Sequence, residues 1–130
     1  MSNDMKAIRV PTGWSVIRRA YQPLRDKLEE GRASGVSDAM LLRAIDYWIA
    51  RLNQDKIAIL TGRAQASIVP PHWPKIRRTY RAITDWLAKA EKENASKTAQ
   101  VVAIDYCIAR LNQEKSSILL GLSFVRYPSR

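Results

Sequence analysis

Ala44-Ile45-Asp46-Tyr47-Trp48-Ile49-Ala50-Arg51-Leu52-Asn53-Gln54 is answered 59 residues later by Ala103-Ile104-Asp105-Tyr106-Cys107-Ile108-Ala109-Arg110-Leu111-Asn112-Gln113, a match broken only where Trp48 stands against Cys107. The same offset, without a gap, aligns residues 7–62 with 66–121 and gives identity at 25 of 56 positions. A repeat of this length reads as one supersecondary unit written twice, and it decides the fold before any local propensity does. Each unit alone would be marginal, so residues 1–130 are expected to form a single domain in which the two units share a core.

Two segments of each unit carry helical spacing, and neither shows the strict alternation of a half-buried strand. The first helix of the unit is expected from about Trp14 to Glu30 and from about Pro74 to Lys92. Trp14, Ile17, Tyr21, Leu24 and Leu28 step by three and four residues, which gathers them on one side of a helix; Trp73, Ile76, Tyr80, Ile83 and Leu87 repeat the stripe. Pro74 suits a first helical position, where a missing N–H has no partner to lose. Pro23 falls in mid-helix against Ala82 and predicts a kink in the first copy only.

The second helix is predicted to start at the caps Ser37 and Ser96 and to stop before Gly62 and Gly121. That is about 24 residues, or roughly 36 Å. Its stripe is Leu41, Ile45, Trp48, Ile49, Leu52, Ile59 and Leu60 in one copy and Ile104, Cys107, Ile108, Leu111, Ile118 and Leu119 in the other. Because Trp48 is far larger than Cys107, the two halves cannot pack identically.

A helical hairpin cannot hide a full apolar stripe by itself. The fold class expected is all-α, with tandem duplicated helical hairpins forming a pseudo-twofold four-helix bundle; two stacked hairpins of a very short solenoid are the alternative. Ile8 to Pro11, Ser67 to Pro70 and Phe124 to Pro128 join apolar residues to proline, and read as short extended segments before each hairpin and at the C-terminus.

Lys and Arg outnumber Asp and Glu by 22 to 12, giving a net charge of +10. Such a surface draws polyanions. The excess is +2 over residues 11–62 and +4 over 70–121, and its densest cluster is Lys75, Arg77, Arg78 and Arg81 with no acid among them. No apolar run approaches the roughly 18 residues of a membrane span, and the first residues lack the apolar core of a secretion signal. The expectation is a cytoplasmic protein that engages no membrane and keeps Cys107 reduced.

One histidine and one cysteine exclude a Cys and His zinc cluster by count. No Gly-rich phosphate loop of known spacing is present. His72, between Pro71 and Trp73, reads as a loop residue, and Cys107, on an apolar stripe, as an inert core thiol. No enzyme activity, cofactor, metal or small-molecule substrate is expected.

The polar residues kept in both copies divide into sets by helical face. Arg18 and Arg77 border the first-helix stripe, and Asp46 and Asp105 border the second-helix stripe; in antiparallel neighbours each Arg is expected to pair with the Asp of its own hairpin. Tyr47, Arg51 and Gln54, matched by Tyr106, Arg110 and Gln113, lie opposite the apolar stripe beside alanines. That face either grips phosphates and stacks on bases, or forms the contact between hairpins or between two copies of the chain. Arg19, Arg78, Arg81 and Lys75 point outward with Trp73 nearby, and the two Ile-Arg-Arg runs read as paired phosphate-contacting patches. No recognition helix is legible, so base-specific readout is not implied.

The resulting reading is a small basic nucleic-acid-binding protein, DNA ahead of RNA, with a regulatory or accessory role. Its expected contacts are Arg19, Arg78, Lys75, Arg81, Trp73, Arg51 and Arg110. The alternative is a non-enzymatic module that binds a protein partner or a second copy through the Tyr47 and Tyr106 faces, with Gln54 and Gln113.

Overall fold

The computed structural model describes residues 14–63, 68–73 and 75–121, with 14–16 by backbone alone. In chain order the helices are α1 (Trp14–Ala33), α2 (Asp38–Thr61), α3 (Ile76–Thr79), α4 (Arg81–Lys92) and α5 (Lys97–Leu119), with no strand among the described residues. α3 and α4 are two pieces of one helix interrupted at Tyr80, so the arrangement has four helices.

The ends of these helices follow from their terminal residues. Ser37 and Ser96 sit in extended backbone, and their hydroxyls accept from the N–H groups of Met40 at 3.2 Å and Ala99 at 3.0 Å, satisfying first-turn donors that have no helical partner. α1 closes on a Schellman turn: Val36 N–H reaches the Gly31 carbonyl at 2.8 Å and Gly35 N–H that of Arg32 at 3.2 Å, with Gly35 left-handed at φ 91°. α4 closes in the same way through Ala95 to Ala90 at 2.9 Å and Asn94 to Glu91 at 3.0 Å. Here Asn94 takes the left-handed position at φ 64°, which asparagine tolerates better than other side chains with a Cβ.

Packing crosses the halves. α2 and α5 lie against each other, and Lys56 meets Asp105 while Lys115 meets Asp46, both at 2.9 Å. Since the later residue of each helix meets the earlier residue of the other, the two run antiparallel. α1 packs on α3 and α4. α2 also reaches the second half, its Trp48 indole N–H donating to the Ile76 carbonyl at 3.0 Å and its Asp55 accepting from the Tyr80 hydroxyl. α5 reaches back to α1, where Glu114 meets Arg25 at 3.5 Å and Arg110 lies over the Tyr21 ring at 4.4 Å. The core between them buries Ile17, Tyr21, Leu24, Leu28, Leu41, Ile45, Trp48, Leu52, Ile76, Tyr80, Ile83, Ile104 and Leu111 almost completely. At about 1.5–3 kcal/mol for each large apolar side chain removed from water, this cluster is the main source of stability.

A break in helical structure lies in the second half, where the sequence predicted none. α1 continues through Pro23, while its counterpart is interrupted at Tyr80. The cause is Trp48. In an unbroken helix the Ile76 carbonyl would accept from Tyr80 N–H; it accepts instead from the Trp48 indole, and the Tyr80 N–H turns to the Arg78 carbonyl. Cys107, at the equivalent place in α5, has no comparable donor, and α1 runs on past Tyr21. Two further expectations are corrected. The second copy's first helix begins at Ile76, after Lys75 in left-handed backbone at φ 76°, and Leu60 and Leu119 are 56% and 64% exposed at helix ends rather than in the core. Pro74, the segments Ile8 to Pro11 and Phe124 to Pro128, and Ser67 lie outside the described residues; Ile68 to Pro70 is neither helix nor strand.

Candidate functional site

The interruption at Tyr80 sets the direction of a group of cations. Lys75 precedes α3, Arg77 and Arg78 belong to it, and Arg81 opens α4, all four exposed. With Arg51 from the middle of α2 they line an open cleft of about 790 Å³, completed by Thr84 and Asp85. Five cations thus face one carboxylate. No ion pair holds any of the five among the described residues.

Arg51 differs from the other four in being fixed. Its guanidinium lies 4.3 Å from the centre of the Tyr80 ring, and its Nη1 donates to the Tyr47 hydroxyl at 3.0 Å. Tyrosine rings hold the cation without neutralising it, which leaves donors in a set plane for an incoming oxyanion. Tyr80 is itself held: burial, then the neighbouring Asp55 carboxylate and the hydrogen bond to it, raise its pKa far above the ordinary tyrosine value. It therefore stays protonated, donates to Asp55, and presents its ring to Arg51.

The equivalent residues on the other side give a closed site. Arg110 lies over Tyr21 at 4.4 Å and donates to the Tyr106 hydroxyl at 2.9 Å, but it is only 6% exposed. Arg25 stands where the other half has Thr84; it is buried and bridges Glu29 at 3.2 Å and Glu114 at 3.5 Å. Positive charge on this side is matched by carboxylates from within the fold.

These placements correct several sequence-based expectations. Arg110 is buried beyond reach of an external phosphate; Tyr47 is buried as well, and Tyr106 and Gln54 are half-buried with Gln113 exposed, an inward placement that agrees with the packing alternative for these faces rather than with the phosphate-gripping one. Asp46 and Asp105 do not take Arg18 and Arg77 as partners. Their carboxylates are engaged by Lys115 and Lys56 of the opposite half, because α2 and α5 form the most extensive helix contact of the fold. Arg77 joins the cleft instead. Arg18 is half-buried; Arg19 is exposed on α1 and is not among the residues lining the cleft. Trp73 is half-buried against the core, with Lys27 Nζ 5.0 Å from its ring centre. Lys75, Arg78 and Arg81 lie together, and Arg51 joins them.

Sequence reasoning passed over the buried charges Asp55, Arg25 and Glu114. The acids had a signal: Leu52, Asp55, Ile59 and Leu111, Glu114, Ile118 share the three-and-four spacing that puts them on the apolar stripe. Lys56 and Lys115 are identical in both copies, yet nothing in the spacing says what they meet. Cys107 is sealed in the core, and burial pushes its thiol up to about 12, so it is a packing group near neutral pH. Among the described residues no group of His, Cys, Asp and Glu could hold a metal ion, and no helix is long and apolar enough to cross a membrane. Compared with protein families, with curated proteins and with solved structures, the chain matches none.

Proposed function

We propose that the protein is a small basic nucleic-acid-binding factor, acting on DNA ahead of RNA as a cytoplasmic regulatory or accessory component, and that it holds phosphates in the cleft of Arg51, Lys75, Arg77, Arg78 and Arg81. The observation that carries this reading is the convergence of five cations without an internal ion pair on an open cleft that contributes one acid, Asp85. Keeping like charges together costs free energy, and a polyanion with regularly spaced phosphates offsets that cost by releasing counterions.

We further read the chain as a tandem duplication folded about a pseudo-twofold axis. Residues 59 positions apart have matching tasks: the caps Ser37 and Ser96, the turns at Gly35 and Asn94, the reciprocal ion pairs of Lys56 and Lys115, and the Arg51 and Arg110 stacks. In this reading one half keeps its cleft open and the other has filled its own, so each chain carries one phosphate site rather than the two expected from the repeat.

A titration against short duplex and single-stranded oligonucleotides at several salt concentrations tests the proposal. Contact with four or five phosphates predicts that the logarithm of the binding constant falls against the logarithm of salt with a slope of about −4 for a duplex and about −3 for a single strand. Weak binding without a salt slope would overturn it.

A protein-contact role has one observation in its favour, now removed from the tyrosine faces. Ile57, Leu60, Leu119 and Leu120 are large, apolar and exposed. Light scattering on the chain and on Leu60→Lys and Leu119→Lys variants decides it: a dimer that the substitutions dissociate supports this role, and a monomer throughout rules out self-association through these residues.

A further inference from the structure

We propose that the nucleic acid taken by this protein is single-stranded, and that one of its bases enters a second pocket adjoining the cationic cleft. This inference rests on the reading of the cleft as a phosphate site. The second pocket, of about 430 Å³, is lined by Pro70, Pro71, His72, Trp73, Lys75 and Arg77. Lys75 and Arg77 also line the cleft, so the two spaces share a wall of two cations. One side of that wall offers rings and flat apolar surface; the other offers charge. A ligand that fits both has a flat, weakly polar part joined at short distance to an anionic part, which describes a nucleotide unit of a strand.

The ring side is built before any ligand arrives. Trp73 rests on α1 where Gly31 leaves room, since a Cβ at Gly31 would collide with the indole, and Lys27 Nζ lies 5.0 Å from its ring centre. Trp73 N–H donates to the Pro71 carbonyl at 2.8 Å, closing a tight turn behind two prolines whose φ is fixed by their rings. His72, exposed, is part of the lining. Lys75 sits at the junction in left-handed backbone at φ 76°, a conformation that costs a lysine free energy and that persists where the surroundings impose it.

The shape decides between one strand and two. In a duplex the bases are stacked and paired, so a pocket beside the backbone meets only phosphate and sugar. In a single strand the bases turn outward and stack on rings, with little dependence on sequence. A duplex would therefore use the cleft alone, whereas a single strand uses both spaces.

The test compares three probes on the full chain at fixed low salt: an oligothymidylate, an abasic strand of the same length and phosphate count, and a duplex of that length. The expected result is that the oligothymidylate binds about tenfold tighter than the abasic strand, the loss of one stacked base. His72→Ala, at an exposed position, narrows that gap and leaves the salt slope unchanged. Trp73→Phe, checked for native helicity by circular dichroism, narrows it further. Equal affinity for the abasic strand and the oligothymidylate, or tighter binding of the duplex, overturns the base pocket while leaving the phosphate cleft standing. Failure to bind any of the three overturns the cleft and this inference together.

Discussion

Arg51 and Arg110 occupy matching places, each stacked on a tyrosine of the opposite half and hydrogen-bonded to a tyrosine one turn before it on its own helix. One opens on a cationic cleft; the other is sealed. The difference does not come from the residues the two copies share. It comes from those they do not: Lys75 against Val16, Arg81 against Gln22, Thr84 against Arg25, and Ala88 against Glu29. On the sealed side Arg25 and Glu29 supply charge that is consumed internally, and on the open side their replacements leave the cations to solvent. Arg51, Arg77, Arg78 and Asp85 of the cleft are identical to their counterparts in the other half, so it is the differing residues around them that separate the open side from the sealed one.

The sharpest way to break this comparison is at Arg25 and Thr84. Arg25→Ala removes an ion-pair partner of the completely buried Glu114, so it should cost about 1.5 to 3 kcal/mol of stability. Thr84→Ala, at the exposed equivalent position, should shift stability by no more than about 0.5 kcal/mol. Urea unfolding midpoints with unchanged slopes would measure both, and equal effects would remove the distinction between a sealed and an open half.

Binding offers the next test. Arg78→Ala and Arg19→Ala delete equivalent, exposed arginines, one in the cleft and one outside it. Arg78→Ala should lower the salt slope of oligonucleotide binding by about one and weaken affinity for all sequences alike. Arg19→Ala should leave the slope unaltered. If both variants lose one unit of slope, the sealed half contributes to the interface after all.

A smaller effect separates stability from binding at one residue. Lys75→Gly relieves left-handed backbone at φ 76° and should stabilise the fold by about 1 kcal/mol, while weakening binding by removing a cation from the cleft wall. Thermal melting and the same titration read the two signs. Weakened binding without stabilisation would mean that the left-handed turn is not strained.

Much of the fold was legible because it depends on local chemistry that repeats. Ser37 and Ser96 as caps, Gly62 as a left-handed stop, and the buried stripes of α1 and α2 follow from hydrogen bonding and spacing within one helix. The helix break at Tyr80 was not legible, because its cause is a hydrogen bond from Trp48, 28 residues away in sequence, to a carbonyl that local rules assign to the helix. The site was half legible for a similar reason. Charge density along the chain picked out Lys75, Arg77, Arg78 and Arg81, but which face Arg51 turns to solvent and Arg110 does not depends on how two antiparallel helices meet side chains that pattern alone cannot bring together.

The smallest expected effect bears on the likeness of the two ion pairs across α2 and α5. Lys56 with Asp105 and Lys115 with Asp46 are the same pair of residue types at the same distance, 2.9 Å, with closely similar exposure. Each is a partly screened surface pair worth about 0.2–1 kcal/mol, so Lys56→Ala and Lys115→Ala should each cost an amount in that range and should lose the effect together as salt rises. Their value lies in being compared. Because the two sites sit far apart along the same antiparallel contact and share no partner, a double variant should cost the sum of the singles. Unequal costs would show that the divergence around Arg51 and Arg110 extends into the α2 and α5 contact; equal and additive costs would confine it to the surroundings of those two arginines, where Thr84 and Arg25 differ.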